Sequence, residues 1–255
     1  MTPSFLMRRL HVFALALCFF VTGSESQELT VAVAANARYP FDEIRRSFET
    51  ETGWTVHTVV SSSGNLTSQI LNGAPFDLFL SADTSYPNTI QREGYAVDSP
   101  RIYAYGKLVL WMSSGNPDST LQSLNSDSIH RIAMAEPTTA PYGREAEQAL
   151  LRGDLFESLR TRIVYGVSIS QVNQYILSNS VDAALTGQSL MLDPAVTVPG
   201  AWTYVDTSLY SPIAQGMVVV RHSDAATMTR ARRFAAYVLS APARTVFQRY
   251  GYALP

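Results

Sequence analysis

The sequence predicts an α/β protein of two lobes, each a mainly parallel sheet flanked by helices, with a ligand cleft between the lobes. Three observations predict it. From Glu28 onward, short apolar, β-branched runs alternate with segments of helical period, the pattern of parallel strands joined by crossover helices. The alternation occurs twice, and two strand-sized apolar runs separate and rejoin the halves. A chain of 255 residues with 46% hydrophobic and 16% charged content supplies core for two modest domains and shows no compositional sign of disorder.

The elements follow in order. Residues 1–26 read as a secretory signal: Arg8 and Arg9 precede the apolar stretch "LHVFALALCFFV", and small residues surround an exit at Ser26. Leu17 is too large to precede a lipid-attachment cysteine at Cys18. Cys18 is the only cysteine, so loss of the signal leaves no thiol, disulfide or cysteine metal ligand. "ELTVAVAAN" is the first strand, and "ARYPFDEIRRSFETETG" is a helix with Phe41, Ile44 and Phe48 on one face and Gly53 at its end. "WTVHTVV", a helix over Leu66–Leu71 and "FDLFLSAD" complete a strand–helix–strand–helix–strand start. "RIYAYGKLVLWMS" and "QGMVVVR" are further strands. Between them "HRIAMAEP", "APYGREAEQALLRG", "TRIVYGVS", "ISQVNQYILSNS" and "VDAALTG" repeat the alternation. Two closing helices contain the stripe Ala231, Phe234, Ala235 and Val238.

The expected organisation is therefore lobe one over 27–103 and 222–255, with lobe two inserted over 104–221. The hinge lies near Ile102–Leu108 and Tyr210–Arg221.

Open α/β sheets bind ligands where strand ends lead into helix N-termini. Asn36 follows the first strand, and Ser61, Ser62 and Ser63 follow the second. Thr138, Thr139 and Tyr142 follow the strand at Ile132, and Ser168, Ile169 and Ser170 the strand at Ile163. All are neutral donors or small entries to a helix. Helix N-termini carry free N–H groups and partial positive charge, so several aimed at one point form an anion site without a formal cation. Capping explains any one of these loops more readily than a ligand does; the four together indicate a binder of a small anion or polar solute. Arg38 and Arg144 lie one turn beyond two of the tips and are expected to be solvated.

Other classes find little support. The net charge of −2 and the absence of a long basic block argue against nucleic acid. Once His11 leaves with the signal, His57, His130 and His222 stand isolated, without metal-ligand spacing. "GQSLM" lacks the second glycine of a nucleophile elbow, and there is no glycine-rich phosphate loop. No enzyme activity and no cofactor are expected, a secreted hydrolase being the weaker alternative.

"LTVAVAANARYPFDEIRRSFETETG", "VSSSGNLTSQILNGAPFDLFLSAD", "AEPTTAPYGREAEQAL" and "RYGYAL" resemble, in order and over nearly the whole mature chain, the periplasmic molybdate-binding proteins. The resemblance implies a type II periplasmic-binding-protein fold and a monomer. It also implies a receptor that carries molybdate, and tungstate with it, to an ABC permease in the inner membrane. By position it assigns Asn36, Ser63, Tyr142 and Ile169 to the ligand. Asn36 stands where many members have serine, Tyr142 where others offer only a backbone amide, and Ile169 at a backbone-amide position. Gly187 stands where the family often has a tyrosine ligand, so that hydroxyl is missing and Tyr142 is its candidate replacement; Ala35 has only its backbone to give. A different small oxyanion such as sulfate is the alternative ligand.

Overall fold

A computed structural model describes residues 27–255 except Gly115, Pro117 and Ser223. The expected signal segment, with Cys18, lies outside the described residues. In chain order the elements are β1 (Glu28–Ala34), α1 (Arg38–Thr52), β2 (Thr55–Ser61), α2 (Ser63–Leu71), β3 (Leu78–Leu80), α3 (Ser85–Arg92), β4 (Arg101–Gly106) and β5 (Leu108–Met112). They continue with β6 (Ile132–Ala135), α4 (Pro141–Arg152), α5 (Phe156–Leu159), β7 (Ile163–Gly166), α6 (Ile169–Leu177) and β8 (Ala183–Gly187). β9 (Ala201–Tyr204), β10 (Ile213–Val219), α7 (Ala225–Val238) and α8 (Ala241–Arg249) complete the chain.

The strands form two five-stranded sheets, β2-β1-β3-β10-β4 and β7-β6-β8-β5-β9. Each is mixed rather than mainly parallel. β1 runs parallel to β2 and β3, and β6 parallel to β7 and β8, as the crossover pattern requires. The other pairings, β10 with β3 and β4 and β5 with β8 and β9, are antiparallel.

Two expectations about organisation change. "RIYAYGKLVLWMS" is not one strand: it divides at Lys107, with β4 in the first sheet and β5 in the second. "QGMVVVR" belongs to the first sheet, not to lobe two as the 104–221 bound has it, so the chain returns before β10, at the start of the Tyr210–Arg221 crossing. An apolar run looks the same whichever sheet it joins, and only the pairing partners decide. The two crossings are tied together by the Leu108 N–H, which donates to the Tyr210 hydroxyl at 3.3 Å, while the neighbouring Lys107 N–H donates to Gln188 Oε1, just after β8, at 2.9 Å.

The cores follow the sequence pattern. On α1, Phe41, Ile44 and Phe48 are buried, and Gly53 ends the helix at φ 71°, a conformation glycine adopts without strain. Phe234 of α7 packs edge-on against Phe48 at 4.7 Å and Phe41 at 5.8 Å, which returns the C-terminal helices to the first sheet. Burying side chains of this size contributes about 1.5–3 kcal/mol each. Strand register then sets the site. Ala34 pairs with Ser61, so the loops carrying Asn36 and Ser63 emerge side by side. Ala135 pairs with Gly166, which does the same for the loops leading to Tyr142 and Ile169.

Candidate functional site

The four loops meet at one small cavity of about 10 Å³, room for the centre of roughly one water-sized sphere and far below a pocket for a drug-sized ligand. Asn36, Ser63, Tyr142 and Ile169 all line it, together with Ser62, Ala34 and Ala35. Ser61, Thr138, Thr139, Ser168 and Ser170 are not part of the wall.

Each helix brings donors. Ser63 is the first residue of α2, Pro141 and Tyr142 the first two of α4, and Ile169 the first of α6. The N–H groups of a first turn have no acceptor within their own helix. In α4 the proline occupies the position where a missing N–H costs nothing. Gly143 lets this helix end press against β6: a Cβ there would lie 2.1 Å from the Ala135 carbonyl oxygen.

The serine run divides its work. Ser62 is the N-cap of α2, its oxygen accepting from the Asn65 N–H at 3.4 Å. Ser63 Oγ accepts the Ala82 N–H at 3.0 Å, which uses its oxygen and leaves its proton to be donated. Asn36 sits in a 3₁₀ turn between β1 and α1. Its side-chain amide is already committed, donating to Gln215 Oε1 at 3.0 Å and to the Tyr252 hydroxyl at 3.3 Å. Its carbonyl accepts from Ser189 Oγ at 2.6 Å and from the Tyr252 hydroxyl at 2.8 Å. What Asn36 has left for the cavity is backbone.

Tyr142 is 1% exposed, and its oxygen accepts from Gln215 Nε2 at 3.1 Å. Burial, reinforced by the neighbouring hydroxyls of Tyr252, Tyr103 and Tyr210, holds its pKa well above the ordinary tyrosine value, so the hydroxyl keeps its proton. Gly187 faces this ring: a Cβ there would lie 3.1 Å from Tyr142 Cε1. Glycine at this position gives the Tyr142 ring its space.

Among the described residues, no formally charged side chain lines the cavity. Arg38 is exposed, as expected. Arg144 departs from expectation: it is only half-buried rather than fully solvated, and its guanidinium donates to Asp83 Oδ2 at 2.6 Å. That pair joins α4 to the loop after β3 and gives the Arg144 charge a carboxylate partner.

Sequence reasoning missed the layer behind the wall. Gln215, Ser189, Tyr103 and Tyr252 are buried and hydrogen-bonded to or around the wall residues. One signal was available, a glutamine opening the otherwise apolar "QGMVVVR".

Residues 29–253 match the family of bacterial extracellular solute-binding proteins. The chain is 34% identical over 253 residues to the molybdate-binding protein ModA of Azotobacter vinelandii, spanning 98% of this chain and 99% of that one. It is also 34% identical over 227 residues to ModA of Rhodobacter capsulatus, covering 88% of each. The solved structure of the Azotobacter vinelandii periplasmic molybdate-binding protein superposes with a TM-score of 0.83 at 28% identity, over 89% of this chain and 99% of that one. With its two-lobed fold and a cavity at the strand ends, the chain belongs to the bacterial extracellular solute-binding proteins.

Proposed function

We propose that this protein is an exported receptor that binds molybdate, and tungstate with it, between its two lobes and delivers it to an ABC permease in the membrane. The observation that carries the reading is the cavity wall, where helix N-termini and neutral hydroxyls converge and no formal charge is present. Such a wall suits a fully deprotonated dianion, which only accepts hydrogen bonds. A protonated phosphate would set its own O–H against these donors and leave one unmatched. Sulfate matches molybdate in charge and shape but is smaller, and donors on rigid helix ends do not follow it inward. Relatives named as molybdate-binding proteins at 34% identity support the same ligand.

Asn36 contributes backbone N–H, Ser63 its hydroxyl and N–H, Tyr142 its hydroxyl and Ile169 its N–H. Asn36 and Ser63 belong to the first sheet's lobe and Tyr142 and Ile169 to the second's, so a bound ion bridges the lobes and favours their closed arrangement. The permease then reads closure. This role asks for no bond-making step and no cofactor. The protein acts as a monomer, with no nucleic-acid partner.

A thermal-shift panel tests the reading. Molybdate and tungstate should raise the melting temperature progressively with concentration, as any ligand of the native state does, while sulfate and phosphate shift it far less. A sulfate shift equal to that of molybdate would make this a general oxyanion receptor. No shift with any oxyanion would end the proposal.

A further inference from the structure

We propose that Gln215 is a positioning residue that turns the Tyr142 hydroxyl proton into the cavity; this rests on the oxyanion reading above. Gln215 lies outside the cavity wall and is fully buried on β10. The β10–β4 register shifts between Gln215 and Gly216, and an irregularity of this kind re-aims the side chains beside it. Here the Gln215 amide points at the junction of the two lobes.

Its orientation is fixed by its partners. Oε1 accepts from the Tyr103 hydroxyl at 2.7 Å and from Asn36 Nδ2 at 3.0 Å. Turning the amide over would set its NH₂ against that of Asn36, donor against donor. Nε2 therefore faces Tyr142 and donates to its oxygen at 3.1 Å. A phenol that accepts along that direction must send its own proton elsewhere. Two protein acceptors are on offer: Gln188 Oε1, 3.5 Å away and already taken by the Lys107 N–H at 2.9 Å, and the Tyr252 hydroxyl, which already accepts from Asn36 Nδ2 at 3.3 Å. An anion in the cavity that Tyr142 lines is the better acceptor.

The chain keeps this space open. A Cβ on Gly106 would lie 1.9 Å from the Tyr142 hydroxyl oxygen and 2.5 Å from Gln215 Nε2. Gln215 belongs to the first sheet and Tyr142 to the lobe of the second, so the bond joins the lobes as well as setting the proton. Asn36, Gln215 and Tyr142 form one chain of donors that runs from the first lobe into the second and ends at the ligand.

The test is a double-mutant cycle with the full mature protein, reading molybdate affinity by calorimetry. Gln215→Met removes the amide at similar volume, and Tyr142→Phe removes the proton it directs. Gln215→Met is expected to weaken molybdate binding on the order of tenfold in the otherwise native protein, and less than about twofold in the Tyr142→Phe background. Equal losses in both backgrounds, or no loss in either, would overturn the role, because a packing effect does not depend on the tyrosine proton. If Gln215→Met does not fold, Gln215→Leu takes its place in the same cycle; it removes the amide without adding charge, and the same two results decide. A native protein that fails to bind molybdate overturns the oxyanion reading itself, whereas native binding without coupling overturns only the role of Gln215.

Discussion

At the scale of single residues, Tyr142 concentrates the chemistry. Its ring rests against Gly187, its oxygen accepts from Gln215, and its proton is retained by burial. A hydrogen bond to a charged group contributes about 1.5–3 kcal/mol, so Tyr142→Phe should weaken molybdate binding by roughly 10- to 150-fold in a calorimetric titration. Unchanged affinity would remove the hydroxyl from the ligand set. Burial also raises the pKa values of Tyr103 and Tyr252. The folded protein thus holds protons that the unfolded chain releases near the ordinary value of 10.0. The stability from these tyrosines is present in full below that value and lost as the pH rises through their raised values. Denaturant unfolding should show a steep alkaline limb, and Tyr103→Phe should flatten it. A limb unaffected by that change would place the alkaline sensitivity elsewhere.

At the scale of elements, the site is the meeting of helix ends held at fixed register by two sheets. The helices reach their positions through glycines at close approaches, and Gly106 is the tightest. Gly106→Ala must displace both the Tyr142 hydroxyl and the Gln215 amide. The expected cost is about 1–3 kcal/mol of stability in urea unfolding, the usual range for overpacking, together with weakened molybdate binding. A stable variant with native affinity would show that the hinge relaxes more freely than its packing implies. This is also the scale at which the sequence was most legible. The α1 stripe, the strand–helix alternation and the loops bearing Asn36, Ser63, Tyr142 and Ile169 could be read because each is encoded within a few neighbouring residues. Gln215 with Asn36, and Asp83 with Arg144, could not. These pairs are 179 and 61 residues apart, and no local period records them. The sheet that β10 joins was hidden for the same reason, since antiparallel pairing with β3 and β4 leaves no mark on its apolar pattern.

At the scale of the whole molecule, contacts between the lobes fall into two kinds. The cavity holds neutral donors. Beside it the lobes meet through Arg144 with Asp83, the Tyr86 hydroxyl donating to the Thr138 carbonyl at 3.1 Å, and the Gly64 N–H donating to the Thr139 carbonyl at 2.8 Å. Asp83 also accepts from Ser81, Ser85 and the Tyr86 N–H, so the cleaner change is at the arginine. A partly exposed ion pair contributes up to about 1 kcal/mol. Arg144→Gln should therefore lower affinity by no more than about fivefold at low salt, and by almost nothing at 1 M salt, where charges are screened within about 3 Å. The loss in Tyr142→Phe should persist at high salt. If both variants respond to salt alike, the division between a neutral seat and a charged rim fails.

Gly64 gives this arrangement a practical handle. A methyl group there would sit 2.9 Å from Thr139 Cα and 2.7 Å from the Tyr86 hydroxyl oxygen, against the opposite jaw and its neighbour. Even alanine at this place is a wedge. The jaws would stand ajar whether or not cargo lay between them, and a transporter that recognises shape would no longer tell a full carrier from an empty one.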